Sequence, residues 1–104
     1  MAGNMKMLQQ LKGMQEKMAR IQEELGNREV EGTSGGGAVK VRVNGHQKVL
    51  AIAISPDAVD PADVELLQDT ILAALNEALD RSRELAASEL GQLTVGMGLP
   101  PGLI

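Results

Sequence analysis

Between residues 7 and 25 the large apolar side chains fall at Met7, Leu11, Met14, Met18, Ile21 and Leu25, at spacings of 4, 3, 4, 3 and 4. This is the seam of a helix that packs lengthwise against another surface, sustained for about two and a half heptads. It predicts a first helix over about residues 4–26, stopped by Gly26-Asn27. Such a stripe has to be covered, either by a second helix of the same chain or by another copy.

The next segment changes period. Val39, Val41 and Val43 alternate with Lys40 and Arg42, and Leu50, Ile52 and Ile54 alternate with Val49, Ala51 and Ala53. Both are strand patterns, and Asn44-Gly45 between them is a hairpin signal because both residues tolerate positive φ. Arg28 to Thr33 supplies a preceding strand, joined through Ser34-Gly35-Gly36-Gly37. A three-stranded antiparallel meander follows. Asp60-Pro61 then opens a second helix, with Asp60 as N-cap and Pro61 at the first helical position. Val64, Leu67, Ile71, Ala74, Leu75, Ala78, Leu79 and Leu85 carry it to about Leu90. It would be about 45 Å long at 1.5 Å per residue. Residues 1–4 and the Gly/Pro-rich 91–104 are expected to be flexible tails of one α+β domain spanning 1–104.

Composition says what holds such a domain together. The chain has 104 residues and no Phe, Trp or Tyr, so the core must be aliphatic and thin. Small domains with thin cores commonly gain stability by association. A short meander covers only part of so long a helix, and exposed apolar stripes of that size point to a homodimer. No apolar run approaches the roughly 18 residues that span a bilayer, and MAGNMKMLQQ lacks the apolar core of a signal peptide. A cytoplasmic protein with no membrane partner is expected.

Catalytic chemistry finds no foothold. The chain has no Cys and a single His, so most acid–base and covalent mechanisms lack their residues. His46 follows the turn signal and is taken as an exposed turn residue. GTSGGG leads into a strand and lacks the Lys-Ser/Thr of a phosphate-binding loop. Asp57, Asp60, Asp63, Glu65 and Asp69 fail the spacing of a calcium loop and are assigned to capping and solvation. No enzyme activity, metal, cofactor or small-molecule substrate is expected.

Charge is the more informative feature. The net charge is −4. Residues 1–54 nevertheless carry eight basic against five acidic residues, net +3, while 55–104 carry two against nine, net −7. Asymmetry of this kind points to an electrostatic function. On the first helix the apolar stripe covers an arc of roughly 80°, and Lys6, Lys12, Lys17 and Arg20 share a separate arc of about 140°, at about 100° per residue. Glu16, Glu23 and Glu24 dilute that basic face. Gly13 lies within it, at a cost of about 1 kcal/mol relative to Ala.

With this layout, the chain resembles the YbaB/EbfC family of nucleoid-associated proteins. The matching stretches are MQEKMARIQEEL (14–25), EVEGTSGGGAVKVRVNG (29–45), AISPDAVD (53–60), LLQDTILAALNEAL (66–79) and MGLPPG (97–102). The resemblance implies a homodimer of α-β-β-β-α subunits whose helices project like the jaws of tweezers. It implies binding of double-stranded DNA with little or modest sequence preference, and a role in nucleoid organisation and gene expression. The DNA-contact candidates it suggests are Lys12, Gln15, Lys17 and Arg20 in the first helix and Arg81 and Arg83 in the second; Lys6 joins them on the basic face. The chain departs from the family at Val49, Ala51 and Ala53, where charged residues are frequent, so that sheet face is expected to be buried. Without aromatics there is no base stacking, which argues against single strands. The competing reading is a dimeric scaffold that binds other proteins through its projecting helices.

Overall fold

The computed structural model describes residues 2–96. Helix α1 spans Ala2–Asn27, strands β1, β2 and β3 span Glu29–Ser34, Val39–Asn44 and Val49–Ile54, and helix α2 spans Val64–Gly96. The sheet is an antiparallel meander in the order β1-β2-β3. The α+β architecture expected from the two hydrophobic periods is the one found.

The core lies between α2 and the inner face of β1 and β2. Val39, Val41 and Val43 are fully buried against Ala74 and Ala78, with Val30, Ile71, Leu75 and Leu79 packed around them. Lys40 and Arg42 alternate outward, as the period of two requires. Close packing depends on small residues at the crossing. A Cβ at Gly32 would overlap the carbonyl oxygen of Ala74 and the amide nitrogen of Ala78. Only glycine lets the helix backbone sit this near β1.

Several local details differ from expectation. The α2 N-cap is Asp63, whose Oδ1 accepts from Leu66 N at 3.2 Å. Asp60 instead starts a turn: its carbonyl accepts from Asp63 N at 2.9 Å and its side chain from Ala62 N at 2.9 Å. Pro61 sits at the second turn position, where its fixed φ is equally suited. At the β2–β3 hairpin the positive φ falls on Gln47, at 60°, rather than on Asn44 or Gly45. A register shift beside Arg42 and Val43 places Val49, not Leu50, opposite Val43. The alternation predicted for β3 therefore holds at Ile52 and Ile54 and breaks at Leu50. The Gly35-Gly36-Gly37 connection has φ of 65°, 68° and 90°.

Helix α2 continues six residues past the predicted end at Leu90, so residues 91–96, expected in the tail, form its last turns. Likewise residues 2–4 belong to α1. Met1 and residues 97–104 lie outside the described residues.

Candidate nucleic-acid interface

The last turns of α1 would end in unpaired carbonyls, which need donors from elsewhere. The β2–β3 hairpin supplies them. Gly45 N donates to Leu25 O at 2.8 Å, Asn44 Nδ2 donates to Gly26 O at 3.3 Å, and His46 Nε2 donates to Gln22 O at 2.6 Å. Gly45 is glycine because a Cβ there would lie 2.5 Å from Leu25 O. Gly26 has no positive φ; its missing side chain makes room for the His46 ring, which a Cβ would meet at 3.1 Å. The sequence treated His46 as an exposed turn residue. It is exposed, and it also clamps the base of α1. Nothing in its local sequence signals a contact to a residue so distant along the chain.

From this base α1 and the C-terminal part of α2 run side by side away from the sheet. Arg28 Nη1 pairs with Glu89 Oε1 at 2.7 Å, and Gly96 lines the same groove as Met14 and Lys17. The molecule measures 75 × 22 × 16 Å, drawn out by this two-helix arm.

The seam residues are covered in a gradient. Leu25 is buried, Ile21, Met18 and Met14 are half-buried, and Leu11 and Met7 are exposed. Coverage falls away as α1 outruns α2.

Lys6, Lys12, Gln15, Lys17 and Arg20 are all exposed on this arm. Among the described residues, none of these four cations forms a salt bridge within 4 Å, the pairs found being Arg28–Glu89, Arg42–Glu29, Arg81–Glu77 and Arg83–Asp80. The α2 candidates are engaged. Arg81 donates to the Glu31 carbonyl at 2.8 Å and pairs with Glu77 at 2.9 Å, tying α2 to β1. Arg83 pairs with Asp80 at 3.1 Å. Cations without acidic partners have no intramolecular interaction to give up when a phosphate arrives. The structure thus separates two groups that the sequence listing left equal: four uncommitted cations on α1, and two paired arginines on α2.

The third exposed feature is β3. Helix α2 lies over β1 and β2 and leaves β3 open, with Val49, Leu50, Ile52 and Ile54 between 37 and 48 % exposed. The outer face of the sheet carries Glu31, Lys40 and Arg42 beside Ala51 and Ala53. Ala51 is half-buried and Ala53 exposed within one chain. No group of three or more His, Asp or Glu among the described residues could hold a metal ion, and no helix of the described residues is long and apolar enough to cross a membrane.

The model of the YbaB/EbfC DNA-binding family matches residues 1–97. The chain belongs to this family. It is 54% identical over 101 residues to a nucleoid-associated protein of Pelotomaculum thermopropionicum, covering 96% of each chain. It is 50% identical over 86 residues to a nucleoid-associated protein of Bacillus cereus, covering 83% of this chain and 79% of that one. The crystal structure of an uncharacterized protein from Helicobacter pylori superposes with a TM-score of 0.69 at 24% identity, covering 88% of this chain and 91% of that one, which shows a shared fold.

Proposed function

We propose that this protein is a nucleoid-associated protein that binds double-stranded DNA as a homodimer, with little sequence preference, and that the basic side of α1 grips the phosphates. The uncommitted state of Lys6, Lys12, Lys17 and Arg20 carries this reading. Gln15, on the same exposed helix, is placed to add a polar contact. Lysine and arginine contacts to phosphate carry no sequence information, so binding through them follows duplex charge more than sequence. Shaping the nucleoid and influencing gene expression are the consequences of such binding along DNA.

The second copy belongs on β3. Its sequence, Val49-Leu50-Ala51-Ile52-Ala53-Ile54, has no charge and no proline, and it forms a sheet edge. An uncovered apolar edge is an aggregation hazard that folded proteins cover. Two identical edges related by a twofold axis are self-complementary. Pairing there would cover the Ile52 and Ile54 face that α2 leaves open.

A salt series with duplex DNA tests the reading. Two copies of Lys12, Lys17 and Arg20 would neutralise roughly four to six phosphates, giving a slope of log K against log salt of about −4 to −5. Different duplex sequences should give similar affinities. Negligible duplex binding near physiological salt would overturn the proposal and favour an adaptor that binds other proteins.

A further inference from the structure

Helix α1 outruns its partner. Gly96, the last described residue of α2, stands at one end of a groove of about 470 Å³ whose other lining residues are Met7, Gln10, Leu11, Gly13, Met14 and Lys17. Beyond that point Met7 and Leu11 remain 60% and 49% exposed, although they continue the seam that is buried at Leu25. Gly13 adds to the opening, since nothing lies within 4 Å of where its Cβ would be.

We propose that this groove is the seat of the chain's own residues 97–104, Met97-Gly98-Leu99-Pro100-Pro101-Gly102-Leu103-Ile104. The first argument is position. Gly96 itself lines the groove, so the segment starts inside the site it would fill. The second is reach. Lys17 to Met7 is about 15 Å along a helix, whereas eight extended residues span up to about 26 Å. The third is chemistry. The segment has no charged or polar side chain and carries four large apolar ones, Met97, Leu99, Leu103 and Ile104. The groove presents methionine and leucine, and methionine adapts to irregular apolar partners. Pro100-Pro101 disfavours a continued helix and restricts the free segment, which lowers the entropy lost on docking. Docking completes the α1 seam where α2 stops, and it stiffens the part of the arm that carries Lys6 and Lys12.

The chain has no native cysteine, so introduced pairs report cleanly. Met7→Cys with Leu103→Cys would be oxidised in the full chain, in a mixture of isotopically light and heavy copies. Gln9→Cys with Leu103→Cys serves as control, because Gln9 lies about 200° around the helix from Met7. The proposal expects the Met7 pair to cross-link within one copy and faster than the control. Cross-links chiefly between light and heavy copies would overturn it, by seating a second copy in the groove. Equal rates for the two pairs would overturn it as well. Amide exchange gives an independent readout: in a chain ending at Gly96, residues 5–14 should exchange about tenfold faster or more, as expected for lost tertiary cover. Unchanged exchange would overturn the proposal. Neither readout involves DNA, so failure here leaves the duplex-binding reading standing.

Discussion

The hydroxyl of Ser82 donates to the carbonyl of Asn44 at 2.6 Å, joining the middle of α2 to the end of β2. Ser82 is fully buried, and its oxygen also accepts from Gln47 N at 3.3 Å and Gln47 Nε2 at 3.0 Å. Asn44 in turn accepts from His46 N and Lys48 N through Oδ1, at 2.9 and 3.0 Å, and reaches Gly26 of α1. One serine thus connects the second helix to the hairpin that holds the first. Ser82→Ala removes the buried hydrogen bond to the Asn44 carbonyl and should destabilise the protein by about 1 kcal/mol. Urea unfolding would measure this, and an unchanged midpoint would refute the proposed role of the hydroxyl.

Two glycines should respond in opposite directions to the same change. Gly32→Ala forces a methyl group into the α2 backbone at Ala74 and Ala78, where no flexible side chain can yield. The expected cost is about 3 kcal/mol, at the upper end for overpacking. Gly13→Ala meets nothing within 4 Å and replaces a poor helix former. It should stabilise α1 by up to about 1 kcal/mol. Circular dichroism of both variants during thermal unfolding gives the comparison. If Gly13→Ala also weakens duplex binding, DNA approaches the α1 backbone closely at that point.

The β3 face yields a separate prediction about assembly. Ile52→Asp places a carboxylate on the uncharged edge strand, where Ile52 is already 48% exposed in one chain. A single chain tolerates that substitution, but an interface burying it does not, because an unpaired charge is costly to desolvate. Sedimentation at micromolar concentration should show a dimer for the parent and a folded monomer for the variant. A parent that sediments as a monomer would remove the assembly reading altogether. Met18→Asp acts differently, since Met18 is half-buried within the single chain. It should unfold the arm rather than simply separate two copies.

Periodicity made the element order legible, because the helix and strand periods differ too much to be confused over these lengths. The buried valines of β2 follow from these periods, and so does the packed stretch of α1 from Met14 to Leu25, whereas Met7 and Leu11 lie exposed. Contacts between distant segments were not legible. Asp60 and Asp63 both resemble N-caps, and the choice between them depends on where the chain meets the sheet. Gly91 resembles a helix stop, yet α2 continues through it with Leu93 and Thr94 buried. Tertiary burial there overrides a local preference worth only about 1 kcal/mol. The clamp by His46 was invisible for the same reason. At the candidate interface, the sequence could collect basic residues by face but could not tell the free ones from Arg81, whose partners are Glu31 and Glu77.

That difference between the two sets of cations gives the last prediction. Replacing Lys17 and Arg20 with Ala removes, from a dimer, four of the six cations counted toward the parent slope, leaving of those six the two copies of Lys12. The salt slope should fall to about −2, at −0.9 per phosphate. All duplexes should weaken alike, because phosphate contacts carry no sequence information. Urea stability should barely change, since Lys17 and Arg20 are exposed and make no salt bridge among the described residues. Arg81→Ala should do the reverse. It cuts the tie from α2 to the Glu31 carbonyl and lowers stability while leaving the slope intact. The acidic half of the chain opposes binding overall, but charges beyond a screening length of about 8 Å contribute little at physiological salt. The arm's own cations should therefore dominate the response. Loss of duplex binding in Arg81→Ala or Arg83→Ala at unchanged stability, with Lys17 and Arg20 dispensable, would move the DNA contact from α1 to α2.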